Sequence, residues 1–219
     1  MGRNTQRTQV KICGITTQED VAILNQYRPD YAGFVFFKKS KRFVTIEQAK
    51  DLLAGLDPEI RRVAVCVDPS AGLAMDLQEA GFDIVQVHGK IPEDLPEEFS
   101  VPLWQAIHMT GEAAHMPVPG RHIPEVYLVD SSTYGSGKTF DWAGCKGWID
   151  AFLSRICAET GHKIRFALAG GLHPDNVRQG IDMLAPDIVD VSSGVEYADK
   201  KGKDPEKVKA FIENARNPA

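Results

Sequence analysis

Val10-Lys11-Ile12-Cys13-Gly14-Ile15-Thr16 is a short apolar run that carries a single cysteine to its end and then turns on a glycine. Side chains alternate along a strand, so Lys11 and Cys13 share one face while Val10, Ile12 and Gly14 share the other. After the turn, Thr16 or Thr17 is placed to cap a helix read from Gln18-Glu19-Asp20-Val21-Ala22-Ile23-Leu24. Cys13 therefore stands where a strand meets a loop. A lone cysteine there is more often an inert buried hydrophobe than a catalyst, so its meaning depends on what other strands bring beside it.

The same plan recurs along the chain. Tyr31-Ala32-Gly33-Phe34-Val35-Phe36 is continuously apolar and is followed by Lys38-Lys39-Ser40-Lys41-Arg42 and a helix from Thr45 through Leu53. Strands that are apolar on both faces belong to parallel sheets. Further strands are read at Arg61 to Val67, Ile84 to Gly89, Leu103 to Met109, Val126 to Asp130, Ile164 to Ala169 and Ile188 to Ser193. Helices are read at Ala71 to Ala80, Asp141 to Cys157, Asp175 to Leu184 and Pro205 to Ala215. Pro117, Pro119, Gly120 and Pro124 leave room only for a short or irregular fifth helix.

Eight strand signals alternating with helices predict an α/β fold, a single-domain (β/α)8 TIM barrel over residues 10–219 behind a polar tail at 1–9. An open doubly wound sheet would carry a Gly-x-Gly-x-x-Gly turn after its first strand, and Cys13-Gly14-Ile15-Thr16 is not one.

The 219 residues are 43% hydrophobic and 25% charged, the composition of an ordinary globular domain. A net charge of -5 argues against non-specific nucleic-acid binding but leaves room for a local anion site. No stretch approaches the roughly 20 apolar residues of a membrane span. Cys13, Cys66, Cys145 and Cys157 form no Cys-x-x-Cys pair and no zinc-type spacing with histidine. Without a secretory leader, they read as free thiols of a cytoplasmic protein with no resident metal. A closed barrel has no exposed sheet edge, which suits a monomer as well as a homodimer.

In such a barrel the chemistry sits at the C-terminal ends of the strands. The first strand offers Cys13 there, the fourth His88, the sixth Asp130 and the eighth Asp190. Alternation puts His88 on one face with Ile84 and Gln86, Asp130 with Val126 and Leu128, and Asp190 with Ile188. One polar residue ending one apolar strand usually caps the next loop; four converging on one rim point to a site. Cys13 and Asp130 would face a central substrate from different sides, as an acid/base pair does.

Two glycine-containing turns follow the last two strands, Ala169-Gly170-Gly171-Leu172 and Ser192-Ser193-Gly194, where barrels bind phosphate through backbone N–H groups. Tyr134-Gly135-Ser136-Gly137-Lys138 is read as a third contact or a lid, with Gly137 in it. Lys38 to Arg42 reads either as a solvated surface loop or as a substrate loop; in the second case the planar guanidinium of Arg42 suits a carboxylate.

From Lys11 to about Ile212 this pattern resembles the phosphoribosylanthranilate isomerases of tryptophan biosynthesis. The motifs fall in order: Lys11-Ile12-Cys13-Gly14-Ile15-Thr16, Gly33-Phe34-Val35-Phe36 with Ser40 and Arg42, Val85-Gln86-Val87-His88-Gly89, Asp130 with Gly135-Ser136-Gly137 and Phe140-Asp141-Trp142, Ala169-Gly170-Gly171-Leu172, and Asp190-Val191-Ser192-Ser193-Gly194-Val195-Glu196. Two departures stand out: Tyr134-Gly135-Ser136-Gly137 where Gly-Gly-Thr-Gly is usual, and Lys41 where proline is common before Arg42.

The resemblance implies Cys13 as general base, Asp130 as general acid and Arg42 on the anthranilate carboxylate. His88 and Asp190 would join in binding a phosphorylated aminoaldose whose phosphate lies on Gly137, Gly170, Gly171, Ser192, Ser193 and Gly194. The implied reaction is an Amadori rearrangement that draws on no cofactor, with Lys11 favouring the Cys13 thiolate and burial or negative charge keeping Asp130 protonated. A histidine-pathway isomerase would be expected to carry aspartate in place of Cys13, and an indole-forming synthase lysines at strand ends. A non-catalytic barrel that only holds a phosphorylated ligand differs from these in turnover alone.

Overall fold

The computed structural model describes residues 7–109, 120–131 and 141–217. Eight short runs of branched and aromatic residues form its strands: β1 (Gln9–Cys13), β2 (Tyr31–Val35), β3 (Arg61–Val67), β4 (Ile84–His88), β5 (Leu103–Met109), β6 (Val126–Ser131), β7 (Arg165–Leu168) and β8 (Ile188–Val191). All pair in parallel and in sequence order, and β8 returns to β1 to close a barrel. In the described residues the α-helices are α1 (Gln18–Tyr27), α2 (Ile46–Ala54), α3 (Ala71–Glu79), α4 (Trp142–Thr160), α5 (Val177–Leu184) and α6 (Pro205–Arg216), with one 3-10 turn at Ser193–Val195. Among the described residues no helix is long and apolar enough to cross a membrane.

Alternation along the strands produces two separate apolar layers. Val10, Ile12, Phe34, Val85, Val87, Leu168 and Val189 face outward and pack under Val21, Leu24, Leu52, Leu77, Phe152, Ile156 and Phe211 of the helices. Tyr31, Val63, Ile84, Trp104, Val126, Leu128, Ala167 and Ile188 face inward and fill the barrel. Each large side chain buried in this way contributes about 1.5–3 kcal/mol.

Local chemistry sets where helices start and stop. Thr17 and Asp20 form a reciprocal capping box at α1, and Thr45 with Gln48 repeats it at α2. Asp204 caps α6 with Pro205 in its first turn. Helix α5 starts at Val177, two residues later than its apolar spacing suggests. The Asn176 side chain accepts from the His173 N–H at 2.8 Å and donates to the Gly171 carbonyl at 3.0 Å, holding that turn outside the helix.

Residues 89–102, between β4 and β5, contain no helix; Pro92, Pro96 and Pro102 interrupt any helical hydrogen-bond ladder there. Of the prolines that predict an irregular fifth helix, Pro117 and Pro119 lie outside the described residues, and Gly120 to Glu125 are non-helical.

The N-terminal end of the barrel is plugged. Tyr31 and Trp104 meet edge to face with centroids 4.9 Å apart. The Tyr31 hydroxyl donates to Gln9 at 3.0 Å, Arg165 bonds both Gln9 and the Tyr31 oxygen, and the Arg61 guanidinium lies 5.7 Å from the Tyr31 ring centre.

Candidate active site

At the opposite end, the strand termini and their loops surround a cavity of about 580 Å³. Cys13, His88, Asp130 and Asp190 line it from β1, β4, β6 and β8; Arg42 lines it from the loop after β2, Gly170 and Gly171 from the turn after β7, and Ser192 and Ser193 from the turn after β8. Gly194 does not line the cavity. A Cβ there would sit 2.0 Å from the Leu172 carbonyl, so its bare backbone lets the two turns after β7 and β8 approach each other. Gly137 and the rest of the Tyr134–Lys138 segment lie outside the described residues.

Beneath Cys13 lies Lys11, inward on the same strand and fully buried. Its Nζ bonds the Asp190 carboxylate at 3.0 Å across the seam that closes the barrel. Burial alone would pull its pKa down, but Asp190 and Cys13 outweigh that and hold it above the ordinary lysine value. Gly33 on β2 makes the space. A Cβ at that position would stand 2.8 Å from the Cys13 sulfur and 3.1 Å from the Lys11 nitrogen. The expectation that Lys11 favours a thiolate is met in sign only: burial, helped by Asp190, pushes the Cys13 thiol above its ordinary value, while Lys11 and Lys203 pull against it.

Arg42 is held from behind. Its Nε and Nη2 grip the two carboxylate oxygens of Glu196, the Nη2 contact at 3.0 Å. Lys41 reaches the same carboxylate at 3.1 Å, and Lys203, only 1% exposed, reaches it at 3.3 Å while donating to the Ser192 carbonyl at 3.1 Å. Burial raises the Glu196 pKa, but these three cations overcome it and hold the carboxyl at about 2. Burial pulls the Lys203 pKa down against Glu196 and Cys13. The Ser192 hydroxyl donates to the Cys13 carbonyl at 3.0 Å, so the turn after β8 is bonded to the end of β1.

A third chain of contacts crosses β4 to β6. Gln86 and His88 share a hydrogen bond of 3.0 Å through the His88 Nε2, and the His88 Nδ1 shares one of 3.1 Å with the His108 Nε2. His108 is the register neighbour of Asp130. Burial, and then His108 and Lys11, lower the His88 pKa to about 3, so its ring is neutral at pH 7.

Sequence reasoning singled out neither Glu196, Lys203 nor His108. Glu196 falls inside a recognised motif but carries no local sign of its partner, and Lys203 sits in the charged run Asp199-Lys200-Lys201-Gly202-Lys203-Asp204, which reads as solvated surface. His108 shares an inward face with Trp104 and Ala106, and only that alternation could have marked it.

A closed eight-stranded α/β barrel with a thiol, a carboxyl and two glycine-containing turns around a cavity at its C-terminal rim defines an enzyme of the TIM-barrel class. The model of the N-(5'-phosphoribosyl)anthranilate isomerase family matches residues 10–214, and the chain belongs to that family, the isomerases of tryptophan biosynthesis. The N-(5'-phosphoribosyl)anthranilate isomerase of Streptococcus mutans is 40% identical over 210 residues, covering 95% of this chain and 99% of that protein. The crystal structure of phosphoribosyl anthranilate isomerase from Thermotoga maritima superposes with a TM-score of 0.76 at 34% identity, over 95% of this chain and 98% of that one. A crystal structure of a phosphoribosyl anthranilate isomerase in complex with reduced 1-(o-carboxyphenylamino)-1-deoxyribulose 5-phosphate gives a TM-score of 0.73 at 32% identity, with the same coverage.

Proposed function

We propose that this enzyme converts N-(5-phosphoribosyl)anthranilate into 1-(2-carboxyphenylamino)-1-deoxyribulose 5-phosphate, with Asp130 as general acid and Cys13 as general base. The observation that carries the reading is the convergence of Cys13, Asp130, Arg42 and the turns after β7 and β8 on one cavity. Asp130 gives its proton to the furanose ring oxygen as the C1–O bond breaks, leaving an iminium on the anthranilate nitrogen. The Cys13 thiolate then takes the C2 proton, the electron pair moves toward that nitrogen, and the resulting enolamine tautomerises to the ketone. The substrate's own nitrogen is the electron sink, so these steps draw on no cofactor.

Gly170, Gly171, Ser192 and Ser193 bind the phosphate through backbone N–H groups, with the Ser193 hydroxyl beside them. Arg42, with Nε and Nη2 turned to Glu196, offers its remaining N–H groups to the anthranilate carboxylate, and Glu196 fixes the plane of the guanidinium. His88 and Asp190 border the sugar. The substrate is a small phosphorylated aminoaldose, and the four free cysteines suit a cytoplasmic enzyme, monomer or homodimer.

Loss of anthranilate-type fluorescence from freshly made substrate tests the reading, run with wild type, Cys13→Ser and Asp130→Asn. Turnover by the wild type that falls about 10²–10⁴-fold in both variants supports the assignment. A folded wild type with no turnover, or a Cys13→Ser variant at wild-type rate, rejects it.

A further inference from the structure

His88, the last residue of β4, and His108 and Asp130, each next to last on β5 and β6, meet in the same corner of the barrel mouth, where one ligand atom from each lies within 4.8 Å of the other two. We propose that these three side chains form a binding site for a divalent transition ion of the zinc class, and that the ion, when bound, blocks the enzyme by taking Asp130. The inhibitory half rests on the reading of Asp130 as general acid; the binding half does not.

The donor set chooses the metal. Two imidazole nitrogens and one carboxylate suit zinc and its neighbours, whereas magnesium and calcium take oxygen shells. The His88 Nδ1 and His108 Nε2 are 3.1 Å apart, close to the roughly 3.3 Å edge of a tetrahedron built on zinc–nitrogen bonds of about 2.0–2.1 Å. His108 and Asp130 are directly opposite each other in the β5–β6 register, so a rotation of side chains, with no backbone movement, closes the third corner. A fourth position faces the cavity that His88 and Asp130 line.

Outer-shell support is present as well. Gln86 stands on the far nitrogen of His88 at 3.0 Å, and its buried Oε1 has no hydrogen-bond partner. Turning that amide end for end places the oxygen on the His88 Nε2–H and frees Nδ1 as a lone-pair donor, which is how metal-bound histidines are held. The resident reaction needs no such ion. Metal and substrate would compete for the same carboxyl.

Titration of the purified, chelator-treated protein with cobalt(II), followed by displacement with zinc(II), reads the site through the visible absorption of tetrahedral cobalt. One equivalent is expected to bind, with His108→Asn and Asp130→Asn each weakening it at least about tenfold, the scale on which even outer-shell losses act. Cys13→Ser is expected to bind as wild type does. In the fluorescence assay zinc should inhibit competitively with substrate, and a chelator should restore the rate. No binding by the wild type, wild-type binding by His108→Asn, or a thiolate-to-cobalt band that disappears in Cys13→Ser would each overturn the site. Full turnover with the ion bound would overturn the block alone. Binding as described in a protein with no isomerase activity would leave the site standing and remove the proposed reaction.

Discussion

Near the N-terminal end of the barrel, the inward positions of β4, β5, β6 and β8 carry Ile84, Trp104, Val126 and Ile188. Four residues further along β4, β5 and β6, on the same faces, they carry His88, His108 and Asp130; two further along β8 stands Asp190. One end is closed by an edge-to-face Tyr31–Trp104 pair and a polar cap. The other spends its inward positions on ionisable groups around a cavity. Stability and chemistry therefore divide along the barrel axis, so substitutions should separate by height.

The largest effect expected is on turnover at the open end. Cys13→Ala should lose about 10²–10⁴-fold in kcat while its urea midpoint stays close to wild type. A matching loss of stability would break the division. At the closed end, Trp104→Ala should cost about 3–5 kcal/mol of unfolding free energy, measured by urea titration. Its folded fraction should keep a near-normal KM.

Lys11 and Asp190 lie between the two ends and should do both jobs. Lys11→Met removes the buried partner of a half-buried carboxylate and should cost up to about 3–5 kcal/mol, most of it recovered when Asp190→Leu is added. Activity should remain low in both variants, because the thiol has lost the cation beside it. Recovery of activity with stability would make the pair purely structural.

The Cys13 thiol lies above its ordinary value of 9.0, so kcat/KM should climb with pH above neutrality as thiolate forms. Stability should fall toward acid. The His88 ring, lowered from 6.5 to about 3, favours the folded state fully above pH 6.5, and that contribution is lost as pH falls toward 3. Glu196, lowered from 4.5 to about 2, adds a contribution complete above pH 4.5 and lost as pH falls through 2. Urea midpoints measured from pH 7 to 4 should therefore fall, and less steeply in His88→Asn. The smallest effect is expected from Gly33→Ala, about 1–3 kcal/mol from a methyl crowding the Cys13 sulfur and the Lys11 nitrogen.

The barrel was legible because each strand carries its signal within itself. Tyr31 to Val35 is apolar throughout, and Ile84, Gln86 and His88 alternate with Val85 and Val87. The rim positions of Cys13, Asp130 and Asp190 follow from the same local rule. What stayed hidden depends on distance along the chain. Arg42 finds Glu196 across 154 residues, and the Lys203 N–H finds Asp20 across 183. Neither partner announces itself in its own neighbourhood. The direction of the Cys13 shift was missed for a related reason, since a nearby lysine is visible in sequence and the depth of burial that outweighs it is not.

The seam between β1 and β8 has a consequence in time. Lys11 and Asp190 meet across 179 residues, as do the Ser192 hydroxyl and the Cys13 carbonyl. A ribosome makes the strand of Lys11 and Cys13 first and the strand of Asp190 last. Until β8 docks, Lys11 has no counter-ion and the thiol no settled environment, so a half-made chain carries the cysteine without the enzyme.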